Sequence, residues 1–233
     1  MNKPTVIAHR GASQAAQENT LEAFRLARQM GAAWVELDVR RTADDGLAIF
    51  HNPELDDGSV IAELALSDLP AYVPTLLSAL EACEGMGVNI ELKNSVGEAG
   101  HDPTHRVVDL VVDVLDSNPD VVAALEGVLI SSFNFETLVS LHERDASLPR
   151  AFLLAERDAL DGADVAAATD FAAIHPDDRL VTKAMVDDAH VIGLQVNVWT
   201  VNDPERMLEL AAMGVDGICT DVPDVAIAVF GRD

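Results

Sequence analysis

Ile7-Ala8-His9-Arg10-Gly11-Ala12 begins the stretch that decides how this chain folds. The stretch passes Glu18-Asn19-Thr20, reaches Val35-Glu36-Leu37-Asp38-Val39 and closes at Ile49-Phe50-His51-Asn52. Apolar, strand-forming residues alternate here with His, Glu and Asp. A strand repeats every two residues, so Glu36 and Asp38 share one face. A strand buried on both faces of a parallel sheet normally reads as an almost unbroken Val/Ile/Leu run, and an unpaired buried charge is costly. The charges at these strand ends therefore meet a metal, a substrate or one another.

Outward from that stretch, short apolar runs alternate with helical patterns, the signature of βα units and a parallel sheet. Eight strands are expected, at 6–9, 34–39, 88–93, 128–133, 151–154, 172–175, 195–200 and 217–220. The helices between them are expected at 20–30, 75–84, 103–116, 135–144, 157–168, 182–192, 204–213 and 222–230. Thr75 and the Asp203-Pro204 pair are start signals, and Gly31, Gly193 and Gly214 are stop signals. Residues 47–51 follow the turn Asp44-Asp45-Gly46 and form a hairpin with the end of strand two. Residues 52–74 make one irregular insertion. Eight βα units in a single domain over residues 1–233 predict an α/β fold, the TIM (β/α)8 barrel, whose chemistry gathers at the C-terminal ends of the strands.

Composition narrows the function. The chain has 233 residues, 49% of them apolar, enough for a large core. No apolar run approaches the roughly 18 residues of a membrane span, and the run before His9 is too short for a signal peptide. Cys83 and Cys219 have no metal-type spacing and read as buried thiols of a reducing compartment, which predicts a cytoplasmic location. Fifteen basic residues against 40 acidic ones give a net charge of −25. That field repels nucleic acid and anionic membrane, so neither a nucleic-acid partner nor stable membrane anchoring is expected. Oligomeric state is left open. Only three lysines occur, and Lys93 sits two residues after Glu91 in an apolar run, where it has a specific task.

The charged residues fall at strand ends. His9 and Arg10 end strand one, Glu36 and Asp38 share a face of strand two, and Glu91 and Lys93 share a face of strand three. Three carboxylates at one mouth repel unless a cation joins them. All-oxygen ligation suits one divalent cation, Mg²⁺ or Ca²⁺. The alternative is pairing of Glu36 and Asp38 with Arg10, Lys93 or Arg40 and no metal. His9 and His51 are the natural proton carriers, and Arg10 with Lys93 supplies donors for an anionic group such as phosphate. His101, His105, His142 and His190 read as solvated or packing residues, whereas His175 is open between core and pocket. Trp199 is either barrel core or an aromatic wall for substrate.

The order of these motifs resembles the glycerophosphodiester phosphodiesterase family over nearly the whole chain. The matching stretches are His9–Ala12, Glu18–Thr20, Glu36–Val39, Thr42–Gly46, His51, Ile90–Lys93, Ser131–Phe133, Trp199–Asn202 and Gly214–Pro223. The resemblance implies a TIM barrel with a small insertion after strand two and a divalent metal. It also implies hydrolysis of small-molecule glycerophosphodiesters to glycerol 3-phosphate and an alcohol such as choline, ethanolamine or glycerol. Carried over, it makes His9 and His51 the acid and base. Glu36, Asp38 and Glu91 become metal ligands and Arg10 and Lys93 phosphate binders. Trp199 becomes the wall of the glycerol pocket, and Glu18 a support near the mouth.

Two departures stand out. The family usually has His-Asp where this chain has His51-Asn52, so a hydrogen bond is retained and a charge is lost. The insertion 52–74 is also short, which predicts an open site. Two other functions compete: a lysophospholipase D-like or other lipid phosphodiesterase, and a non-catalytic phosphodiester-binding barrel. The last would lack a histidine or a metal carboxylate, and none is missing.

Overall fold

The computed structural model describes residues 3–155 and 170–231. The chain runs β1 (Thr5–His9), α1 (Leu21–Met30), β2 (Trp34–Arg41), β3 (Leu47–Ile49), α2 (Leu76–Ala82) and β4 (Gly87–Leu92). It continues with α3 (Arg106–Ser117), α4 (Pro119–Ala123), β5 (Gly127–Ser132), α5 (Phe135–Arg144), β6 (Arg150–Leu154) and β7 (Ala173–Pro176). The last elements are α6 (Lys183–Val191), β8 (Gln195–Val198), α7 (Pro204–Met213), β9 (Gly217–Thr220) and α8 (Pro223–Phe230). The strands lie in the order β1-β9-β8-β7-β6-β5-β4-β2, and β1 pairs with β2 to close an eight-stranded parallel barrel. This is the TIM barrel expected from the alternation. β3 adds to β2 antiparallel as the expected hairpin.

The period of two divides each strand between two environments. Val35, Leu37 and Val39 of β2 are fully buried and join Val88, Ile90 and Leu92 of β4 in the main core. Helix positions such as Phe24, Leu80, Val111 and Leu138 cover that face. The helices start where a side chain can satisfy their free amides: Thr20 accepts from Ala23 N, Thr75 from Ser78 N, Thr182 from Met185 N and Asp203 from Arg206 N. Gly31 takes a φ of 96° at the end of α1, a left-handed cap that glycine adopts without steric cost.

Some boundaries differ from the sequence pattern for local reasons. The helix expected from 103 begins at Arg106, because Asp102 accepts from the Thr104 amide and hydroxyl and from the Arg106 amide, holding the chain in a turn. The short α4 was not expected. β2 runs on to Arg41 because Arg41 pairs with Leu47. β4 stops at Leu92 and β8 at Val198, so Lys93 and Trp199 sit just past their strands. The helix expected at 157–168 lies outside the described residues. The insertion builds a small core of its own, with Leu55 and Ile61 packed on Ala48 of β3. Among the described residues no helix is long and apolar enough to cross a membrane.

Candidate active site

The C-terminal mouth of the barrel opens into a cavity of about 340 Å³. His9, Arg10, Glu36, His51, Glu91 and Lys93 line it, along with Phe133 and Trp199. Strand register explains the convergence. His9 lies beside Glu36, and Asp38 beside Glu91. The inward face of three adjacent strands thus delivers two carboxylates of β2 and one of β4 to a single point.

Glu36, Asp38 and Glu91 are buried, and each offers an oxygen lying within 4.8 Å of the other two. Glu36 Oε2 accepts from the Arg10 backbone amide at 3.0 Å, and Asp38 Oδ2 accepts from Asn19 Nδ2 at 2.7 Å. Glu36 Oε1 and Asp38 Oδ1 have no hydrogen-bond partner. Lys93 Nζ lies 2.7 Å from Glu91 and 3.5 Å from Asp38, and Arg10 Nε lies 3.2 Å from Asp38. Part of the cluster is therefore neutralised by protein cations, as the metal-free alternative required. Among the described residues, however, Glu36 pairs with no cationic side chain. Arg40 does not join: its guanidinium binds the His51 carbonyl, at 2.8 and 2.5 Å, and Glu98.

The acidities follow from this uneven pairing. Burial, and next the charges of Asp38 and Glu91, push the Glu36 carboxyl well above its usual range. Burial also pushes Asp38 up, but Lys93, Arg10 and His51 outweigh it and hold the net shift downward. For Glu91, burial wins over Lys93, and its pKa is raised. A buried Glu36 oxygen with no hydrogen-bond partner, on a carboxylate that no lysine or arginine side chain among the described residues pairs within 4.0 Å, fits a hard divalent ion, and the donor set is all oxygen.

The two imidazoles are supported differently. His9 Nδ1 lies 2.6 Å from Asp221 Oδ1, whereas His51 Nδ1 lies 2.8 Å from the neutral Asn52 Oδ1. Burial lowers the His51 pKa; Asp38 opposes that shift, and Lys93 and Arg10 reinforce it. Asn52 thus keeps the hydrogen bond expected of it. Glu18 holds the Arg10 guanidinium at 2.9 Å beside the mouth. Trp199 stands edge-on to Phe133 at 5.4 Å and donates Nε1–H to the His175 carbonyl.

His175, which the sequence left open, lines the cavity from below and is bonded to Asn197 at 3.0 Å. His105 packs against Asn94 and Thr137, and His190 pairs with Asp216 near the surface. Sequence reasoning missed several residues: Asp221 as the partner of His9, Asn19 as the donor to Asp38, and Phe133 as the neighbour of Trp199. All three lay inside motifs already noted, so their positions, though not their contacts, were visible.

A closed parallel barrel with three acids, two imidazoles, an arginine and a lysine at its C-terminal mouth defines a TIM-barrel hydrolase of phosphate esters. Comparison with known proteins makes the class specific. Residues 9–225 match the glycerophosphoryl diester phosphodiesterase family. A glycerophosphodiester phosphodiesterase of Caldanaerobacter subterraneus subsp. tengcongensis is 28% identical, over 97% of this chain and 97% of its own. One from Bacillus altitudinis is 29% identical, over 96% and 97%. Among solved structures, an Oleispira antarctica phosphodiesterase in complex with the product sn-glycerol-3-phosphate superposes with a TM-score of 0.86. It is 30% identical and covers 97% of this chain and 96% of its own. The chain belongs to the glycerophosphoryl diester phosphodiesterase family. It is a phosphoric diester hydrolase acting on glycerophosphodiesters.

Proposed function

We propose that Glu36, Asp38 and Glu91 hold one Mg²⁺ or Ca²⁺ and that His9 and His51 carry the protons of the reaction. Arg10 and Lys93 bind the phosphoryl oxygens, and Trp199 walls the glycerol arm. Glu18 keeps the Arg10 guanidinium at the mouth. The observation that carries this reading is the meeting of three acid oxygens within 4.8 Å of one another, two of the acids lining a cavity that both imidazoles also line.

A bound divalent ion supplies Lewis-acid stabilisation of charge on the phosphoryl group. The protein's own cations add to it, since both keep their charge. Burial lowers the pKa of Lys93, yet Glu91 and Asp38 outweigh burial and raise it; Asp38, Glu36 and Glu18 do the same for Arg10. One imidazole takes a proton from the attacking oxygen as the new P–O bond forms; that oxygen is water's, or the substrate's neighbouring hydroxyl in a first step whose cyclic phosphate water then opens. The other gives its proton to the departing alkoxide as the old P–O bond breaks. The products are glycerol 3-phosphate and a free alcohol. The two buried free thiols, Cys83 and Cys219, support a cytoplasmic location.

The test is a coupled assay of glycerol 3-phosphate release from glycerophosphocholine, with and without EDTA, alongside lysophosphatidylcholine. Turnover of the glycerophosphodiester that EDTA abolishes and Mg²⁺ or Ca²⁺ restores is expected. Full activity in EDTA would remove the metal, and faster turnover of the lysolipid would favour the lipid phosphodiesterase.

A further inference from the structure

His9 and Asp221 are 212 residues apart in sequence, and their side chains meet at 2.6 Å beside the cavity. Every polar neighbour recorded for the Asp221 carboxylate is a donor or can act as one. Ser13 Oγ donates to Oδ1 at 3.0 Å, and Asn202 Nδ2 donates to Oδ2 at 2.6 Å. Asn202 is itself fixed, because its Oδ1 accepts from the Asp221 amide at 2.9 Å and from Thr220 Oγ1 at 3.0 Å. Burial alone would raise the acid, yet the bonds from His9 and Asn202 bring it down to about 2. At neutral pH Asp221 is therefore an ionised carboxylate that only accepts. An acceptor facing His9 Nδ1 requires the proton of the neutral ring to sit on Nδ1. The other ring nitrogen, Nε2, is then bare and on the side away from Asp221.

We infer that Asp221 is a positioning residue that fixes His9 in the Nδ1–H form, with Nε2 free to accept a proton at the cavity, and that Ser13 and Asn202 hold Asp221 in place. The inference rests on the proposed role of His9. Its logic is that a carboxylate behind an imidazole selects one tautomer and stabilises the imidazolium formed when the ring takes a proton. His51 has no such partner, only the Asn52 amide. Both rings thus face an oxygen acceptor through Nδ1, but only the partner of His9 is charged, so His9 is the one whose imidazolium is stabilised.

The test uses nitrogen NMR of the imidazoles together with kinetics on Asp221→Asn. In the wild-type protein, above the His9 titration, the His9 ring is expected to show a protonated Nδ1 and a bare Nε2. In Asp221→Asn the amide can donate to Nδ1, so the population moves to the Nε2–H form. Its kcat is then expected to fall at least about a hundredfold, the lower range for a misplaced acid or base, with KM changed far less. A wild-type ring protonated on Nε2, or a folded Asp221→Asn with full kcat, would overturn the inference. Should the variant fail to fold by circular dichroism, the wild-type spectrum decides alone. A wild-type protein with Nδ1–H that cleaves no glycerophosphodiester would sink the proposed reaction and leave the tautomer assignment standing.

Discussion

The two faces of β2 are equally dry and chemically opposite. Val35, Leu37 and Val39 point outward into the shell under the helices, all fully buried, while Glu36 and Asp38 point inward and are 4% and 1% exposed. The shell follows the rule of protein interiors: apolar groups leave water and pack against one another. The inner face breaks it: Asn89 and Ser131 sit in register beside Glu36 and Glu91, and His175 and Asn197 are buried polar residues of β7 and β8. Most barrels of this kind fill that space with branched aliphatic side chains. The difference teaches that this barrel draws its stability from the outer face and spends the inner one on chemistry, within single strands of four to eight residues.

That contrast can be broken by one substitution on each side. On the inner face, His51→Ala removes a proton carrier and should lower kcat by roughly 10²–10⁴-fold, with little change in the urea midpoint, since the ring lies at the cavity rather than in packing. Loss of stability with kcat kept would reverse the roles of the two faces. On the outer face, Phe24→Ala empties a fully buried site in α1. It should cost about 3–5 kcal/mol in denaturant unfolding and leave the activity of the folded fraction unaltered. A folded Phe24→Ala with wild-type stability would mean the shell is not where the energy lies.

His175 sharpens the comparison by a smaller effect. Burial drops its pKa to about 3 from an ordinary 6.5, so the folded state refuses a proton that the unfolded chain binds. Between those values the unfolded state holds more protons, and stability falls as the pH falls. From pH 7 to pH 5 the loss from this one group is of order 2 kcal/mol. His175→Gln should flatten that slope, read as unfolding midpoints at the two pH values. An unchanged slope would show that the barrel interior is wet enough to charge the ring.

How much of this was legible in sequence depends on range. The alternation Val35-Glu36-Leu37-Asp38-Val39 announced both faces of β2, because a strand writes its environment into consecutive residues. Glu91 and Lys93 were legible for the same reason, and the count of βα units gave the barrel. Contacts between distant loops were not. Asp221 lay within the Gly214–Pro223 stretch, yet nothing local says that it meets His9 where β9 pairs with β1. Arg40 looked like a candidate partner for the acids, but its guanidinium turns to the His51 carbonyl and Glu98. The late start of α3 at Arg106 was hidden too, since Asp102 acts through three side-chain bonds that a periodic pattern does not encode.

The central claim is that the buried acids Glu36, Asp38 and Glu91 form a cation site. Calorimetric titration of the metal-stripped protein with Mg²⁺ or Ca²⁺ tests it most directly. One ion bound per chain is predicted, with binding abolished in Asp38→Asn while circular dichroism stays unchanged. No heat in the wild-type protein with either ion, or equal affinity in Asp38→Asn, would contradict it.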